Sequence, residues 1–170
     1  MIRSVQIRNF RSFDAATLQD CRRINVIVGE NGSGKTALLQ AIFLAAGPVK
    51  SAFFAANRTY SGVETIAAVL LSIPAQPGGV VLVDEIENGI HYKRLPLIWR
   101  SIFELAKEHD AQVFVTTHSD ECLAAIAEIA EEESSQISVI HARLREGATE
   151  LTQYDGKTFL DAMEENIEIR

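Results

Sequence analysis

The residues with the plainest chemical meaning are Gly29-Glu30-Asn31-Gly32-Ser33-Gly34-Lys35-Thr36, which fit the Walker A spacing G-x-x-x-x-G-K-[ST]. Gly32 and Gly34 leave the backbone room to curl, so that successive N–H groups converge on an anion at a helix N-terminus. Lys35 would reach the β- and γ-phosphates of a nucleoside triphosphate, and the Thr36 hydroxyl would be a ligand of Mg²⁺. Asn31 and Ser33 complete the candidate loop. A glycine-rich turn that matches by coincidence is the bland alternative, and the flanks speak against it. Residues 24–28 read as a buried strand entering the loop, and residues 37–43 as the helix leaving it. ATP with Mg²⁺ is the expected ligand.

A second set of groups follows downstream. Val80-Val81-Leu82-Val83 is an apolar run ending in Asp84 and Glu85, the Walker B arrangement. Asp84 would hold Mg²⁺ beside Thr36, and Glu85, on the opposite side of the strand end, would take a proton from a water attacking the γ-phosphate. Two solvated acids at a strand terminus are the alternative. The apolar run Val113-Phe114-Val115 then leads to Thr116-Thr117-His118-Ser119. At the C-terminal edge of a parallel sheet, where ligands bind in such folds, the His118 imidazole would hydrogen-bond a γ-phosphate oxygen. A lone histidine is otherwise commonly structural, and His91, His109 and His141 have no comparable setting.

The elements needed to position these groups are legible as strands alternating with helices, an α/β core. Strands are expected at residues 3–10, 16–20 and 24–28, then a helix from Gly34 to about Ala46, stopped by Gly47-Pro48. Residues 49–60 have weak periodicity and read as a loop or short helix. Residues 63–72 form an apolar helix ended by Pro74 and the turn Gln76-Pro77-Gly78-Gly79. A continuous apolar run at 80–83, ending in the carboxylates at 84 and 85, suits a central parallel strand with both faces covered. Helix is expected from Tyr92 to Glu108, with Pro96 in its first turn or restarting it. Residues 112–116 form another strand, and Ser119 caps a helix over 120–130. A hairpin of 137–144 and 149–154 turns at Glu146-Gly147, and a short helix covers 157–165.

At 170 residues the chain is most economically one domain, 1–170. Its net charge is −7, unevenly placed: residues 1–60 carry eight Lys/Arg against three Asp/Glu, and residues 61–170 eight against twenty. The early cations Arg3, Arg8, Arg11, Arg22 and Arg23 read as solvated strand faces, or as a basic edge toward nucleotide or nucleic acid. The acidic total argues against tight, autonomous DNA binding. No apolar run reaches the length of a membrane span, Met1-Ile2-Arg3-Ser4 lacks a signal-peptide core, and Cys21 and Cys122 form no motif. A reducing cytoplasm is the expected compartment.

Taken together, the Walker A loop with Asn31, Asp84-Glu85 and Thr117-His118-Ser119 resemble the ABC-class ATPase heads of the SMC, RecF and OLD proteins. Ile7-Arg8-Asn9-Phe10-Arg11-Ser12-Phe13 is similar to their first strand and turn, which places Arg11 and Ser12 near the nucleotide. Glu85-Ile86-Glu87-Asn88-Gly89-Ile90-His91 resembles the segment where the D-loop lies, and residues 159–170 resemble the tail of the same branch. The resemblance implies a P-loop NTPase head with an N-terminal antiparallel β layer and a mostly parallel core sheet flanked by helices. It also implies a signature motif, for which Tyr60-Ser61-Gly62-Val63-Glu64 is the candidate, with Val63 where the motif has glycine. Ser61 is equally readable as a helix N-cap, and both readings present a serine and a helix N-terminus. Positions 37–60 are all that separates Thr36 from Ser61, so residues 47–60 stand where the family carries a helical lobe or coiled-coil arms. This is either a naturally reduced head or one from which the arm region has been removed.

The expected function is therefore an ATPase whose site is completed by an ATP-dependent homodimer, Lys35 of one copy facing Ser61 of the other. DNA maintenance or phage defence, with DNA or a nuclease as further partner, is implied by the resemblance. The alternative is a nucleotide-dependent binding or dimerisation module with little turnover. A kinase or GTPase is disfavoured by the lack of an Asn-Lys-x-Asp motif and of an arginine-rich lid.

Overall fold

The computed structural model describes residues 1–47, 51–55 and 62–165. Val5–Phe10 (β1) and Phe13–Leu18 (β2) form an antiparallel hairpin. The expected second strand, 16–20, is corrected to an earlier start. The pairing Phe10↔Phe13 leaves only Arg11-Ser12 as the turn, with Asn9 at φ 50 and Arg11 at φ 53 turning the chain. Turn sites with positive φ favour asparagine and glycine, so an arginine there gave no sequence signal.

The second sheet has the order β4-β5-β6-β3-β7-β8. Its strands are Ile24–Val28 (β3), Ser51–Ala55 (β4), Val80–Asp84 (β5), Gln112–Thr116 (β6), Ile137–Arg145 (β7) and Ala148–Asp155 (β8). All neighbours run parallel except the hairpin β7–β8. β4 corrects the loop or short helix expected over 49–60. It is a five-residue edge strand with no alternation, and a parallel partner on one side is enough to form it. The helices are Lys35–Ala46 (α1), Gly62–Ala75 (α2), Leu95–Glu108 (α3), Asp120–Glu133 (α4) and Gly156–Glu164 (α5). α2 runs past Pro74 rather than ending before it, and Pro96 lies in the first turn of α3 after a short 3₁₀ turn at Tyr92–Arg94.

Every residue of β3 and β6 is buried because the sheet is covered on both faces. Ile24, Val26, Val81, Val83, Val113 and Val115 point to one side, against Trp99 and Ile102 of α3 and Ile126 of α4. Ile27, Leu82, Phe114 and Ile140 point to the other, against Leu38, Leu39 and Ile42 of α1 and Val5, Ile7 and Leu18 of the hairpin. Alternate side chains of each strand thus enter different layers, which is the strand period applied to a three-layer fold. Cys21 and Cys122 are both free and buried.

Candidate functional site

β3 lies between β6 and β7, and its C-terminal end runs straight into the glycine-rich loop. Gly29, at φ 142, passes so close to β7 that a Cβ would lie 2.2 Å from the Ala142 carbonyl oxygen. Gly32 and Gly34 have φ 83 and 99, the left-handed turns that aim main-chain N–H groups inward. α1 then starts with no side-chain cap and no acid in its first turn, so its N-terminal dipole and unpaired donors face the loop. Ser33 is buried, and its hydroxyl has no hydrogen-bond partner. Asn31 and Gly32 are exposed at the crest.

Lys35 is 6% exposed and folded under the loop, donating from Nζ to the carbonyls of Gly29 at 2.7 Å and Glu30 at 2.8 Å. Burial pulls its ammonium below the ordinary lysine range, and the field of Glu85, Asp84 and Glu87 opposes that shift. The neighbouring Thr36 points across the sheet top. Its hydroxyl donates to Asp84 Oδ2 at 2.9 Å, although β6 separates β3 from β5. The other carboxylate oxygen, Oδ1, accepts at 2.6 Å from the Thr116 hydroxyl, which in turn accepts the Glu85 N–H at 2.7 Å. A hydroxyl and a carboxylate at contact distance make an all-oxygen donor set of the kind Mg²⁺ takes, with room for phosphate oxygens and water to complete it. Among the described residues, no group of three or more His, Cys, Asp or Glu is arranged to hold a metal by itself.

Glu85 sits at φ 53, the first residue after β5, and Asn88 Nδ2 donates to its Oε2 at 2.5 Å. His118 follows β6 on a short bridge, residues 117–119, that leads into α4. The Thr117 N–H donates to the Ile27 carbonyl at 3.0 Å, and the Ile86 N–H to the Thr116 carbonyl at 3.3 Å. A polar cavity of about 520 Å³ adjoins the loop, walled by Asn31, Gly32, Ser33 and residues 141–144. Neither Thr36 nor Asp84 lines it, so it lies on the β7 side of that pair.

Two family models match the chain, each over less than half of it. One, described as "AAA domain", matches residues 4–68, and the other, described as "AAA domain, putative AbiEii toxin, Type IV TA system", matches residues 61–124. Short stretches are similar to the DNA replication and repair protein RecF. Identity is 60% over 37 residues in Psychromonas ingrahamii and 42% over 43 residues in Bacillus subtilis. Those stretches are 22% and 25% of this chain and 10% and 12% of the relatives, so the matches span a small part of RecF. Among solved structures, the SMC head domain from Thermotoga maritima superposes with a TM-score of 0.59, over 90% of this chain and 98% of that one, at 11% identity. The chain has the fold of an SMC head domain. The antiparallel hairpin beside a mostly parallel sheet is the layer arrangement expected of such a head.

In this head the structure brings together Gly32, Ser33, Gly34, Lys35, Thr36, Asp84, Glu85 and His118 at one edge of the sheet. Ser12 joins them through a contact that is not legible in the sequence. Its carbonyl accepts the Thr149 N–H at 2.7 Å and its hydroxyl accepts from Thr149 Oγ1 at 2.8 Å, and a Cβ on Gly34 would meet both side chains. Arg11 is exposed at the hairpin tip, its guanidinium 5.9 Å from the centre of the Phe10 ring. Arg23 is not part of a basic edge toward the site: it donates to the carbonyls of Ala106 and Ala111 and pairs with Asp110 at 3.2 Å. Ser61 lies outside the described residues, and Gly62 is the first residue of α2. Thr116, Glu87 and Thr149 were missed by the sequence reading. A threonine ending an apolar strand reads as a strand former, and only the three-dimensional meeting of strand ends shows its hydroxyl to be polar wiring.

Proposed function

We propose that the chain binds Mg²⁺–ATP at this edge and hydrolyses it, in a site completed by a second copy of the chain. The observation that carries the reading is the Thr36–Asp84 hydrogen bond, which joins the two nucleotide motifs across an intervening strand. Mg²⁺ held by Thr36 and Asp84 would neutralise charge on the phosphates. The loop N–H groups and the N-terminus of α1 would hold the β- and γ-phosphates, with Lys35 turning from its own loop carbonyls to the phosphate oxygens. Glu85 would take the proton of the attacking water as its oxygen bonds the γ-phosphorus and the bond to the β–γ bridging oxygen breaks, releasing ADP. His118 would donate to a γ-phosphate oxygen. Ser61 and Gly62 of the opposing copy would close the site, and Arg11, Ser12 and Asn31 would contact the nucleotide. Service in DNA maintenance or phage defence, in the cytoplasm and with DNA or a nuclease as further partner, is part of the same proposal. No described helix is long and apolar enough to cross a membrane.

The second reading is a nucleotide-gated binding module with little turnover. It is favoured by Asn88, which donates to Oε2 of the Glu85 carboxylate and so competes with a water for that oxygen. Steady-state phosphate release separates the two. Glu85→Gln is expected to bind ATP normally and to hydrolyse it about 10²–10⁴-fold more slowly. A mutant turning over at the wild-type rate would leave Glu85 a bystander, and a wild type without turnover selects the binding module.

A further inference from the structure

Glu87 has no part in the reading above, yet its side chain is only 11% exposed. Its described partners are two donors of a single residue. Oε1 accepts the His118 main-chain N–H at 2.9 Å and lies 2.9 Å from His118 Nδ1, while Oε2 is buried with no partner. Withdrawing a carboxylate from water is costly unless it holds a fixed donor. The exposed pairs Arg100–Glu132 and Lys107–Glu133 have no comparable burial. A grip on both the main chain and the ring of one residue fixes the loop and the side-chain rotation together. The same bridge is pinned on its other side by Thr117 to the strand that enters the Walker A loop.

We propose that Glu87 is the positioning residue for His118: its carboxylate accepts a hydrogen bond from Nδ1–H and leaves Nε2 as the nitrogen that meets the γ-phosphate. This rests on the role proposed for His118 above. Which imidazole nitrogen carries the proton is set by the partner of the other. When a phosphate oxygen engages Nε2, protons occupy both nitrogens, and the buried carboxylate balances the charge of the ring. The unshared Oε2 keeps that charge close without tying the ring down a second time.

The direct test is long-range nitrogen–proton NMR on the full chain with ¹⁵N-labelled histidine and no nucleotide. It is run at about pH 8.5, roughly two units above an ordinary imidazole. His118 is assigned from the signal lost in His118→Asn. The proton is expected on Nδ1 in the wild type and in Glu87→Gln, which keeps an acceptor oxygen, and on Nε2 in Glu87→Ala. Glu87→Asp, one methylene too short, replaces the alanine variant should that one fail to fold. In steady-state hydrolysis Glu87→Ala is expected to lower kcat about 10- to 100-fold with KM held within roughly threefold, and Glu87→Gln to recover most of the loss. A wild-type His118 protonated on Nε2, or equal kcat losses in the glutamine and alanine variants, overturns the assignment. The proton's place is read without turnover. A chain that does not hydrolyse ATP therefore defeats the ATPase reading while the NMR still decides the role of Glu87.

Discussion

At the top of β6 one buried hydroxyl is shared between the two Walker B acids: Thr116 donates to Asp84 and accepts from the Glu85 main chain. Thr116→Val keeps the shape and removes both bonds, leaving a half-buried N–H without a partner. The expected cost is about 1–3 kcal/mol in denaturant stability. ATP affinity should fall as well, because Asp84 is then free to rotate away from Thr36, whereas Thr116→Ser should recover both quantities. Equal affinity in the valine and wild-type proteins by calorimetry would make the hydroxyl purely structural. Lys35→Ala and Asp84→Asn should each abolish useful Mg²⁺–ATP binding, and unchanged affinity in either would move the site elsewhere. The glycines and lysine of the loop were readable from spacing alone, because a phosphate loop demands them at fixed intervals. Thr116 and Thr149 were not, because their partners lie far away in the sequence and a single threonine carries no pattern.

Among the elements, β3, β5 and β6 were legible because burial on both faces leaves an uninterrupted apolar run. β4 and the start of β2 were not, being an edge strand without alternation and a strand whose turn uses arginine and serine. Helix ends followed their caps. Ser119 accepts the Cys122 N–H at 3.2 Å, and Asp155 accepts the Thr158 N–H at 2.8 Å. That bond pulls the Asp155 carboxyl below its ordinary 3.8. A depressed carboxyl contributes stability that is fully present above the unfolded value and is lost as pH falls through the folded one. α5 seats the fully buried Phe159, so its cap affects the core as well as the surface. Asp155→Ala is expected to cost about 1 kcal/mol near neutrality. The difference from wild type should shrink when the two are melted below the ordinary carboxylate range, and a constant difference there would assign the loss to packing.

Over the whole molecule, a composite site predicts that ATP joins two copies. Glu85→Gln, which retains ATP, should shift from monomer toward dimer on adding nucleotide, since a ligand that favours one assembly populates it. Ser61→Arg should block the shift while each chain still binds ATP. Sedimentation over a range of concentrations reads this directly, and no nucleotide-dependent mass change in the trapped variant would leave the site a monomer's. The sheet order has a further consequence, for the chain as it is being made. Ile24 of β3 is paired with Val113 on one side and Ile137 on the other, both far downstream. The phosphate motif therefore leaves the ribosome well before the two strands that flank it. Until β7 emerges, β3 is an apolar strand with an unpaired edge, the form most open to wrong pairing. A chain stalled before Ile137 should carry every residue of the Walker A loop, fail to retain ATP, and be recovered bound to chaperone.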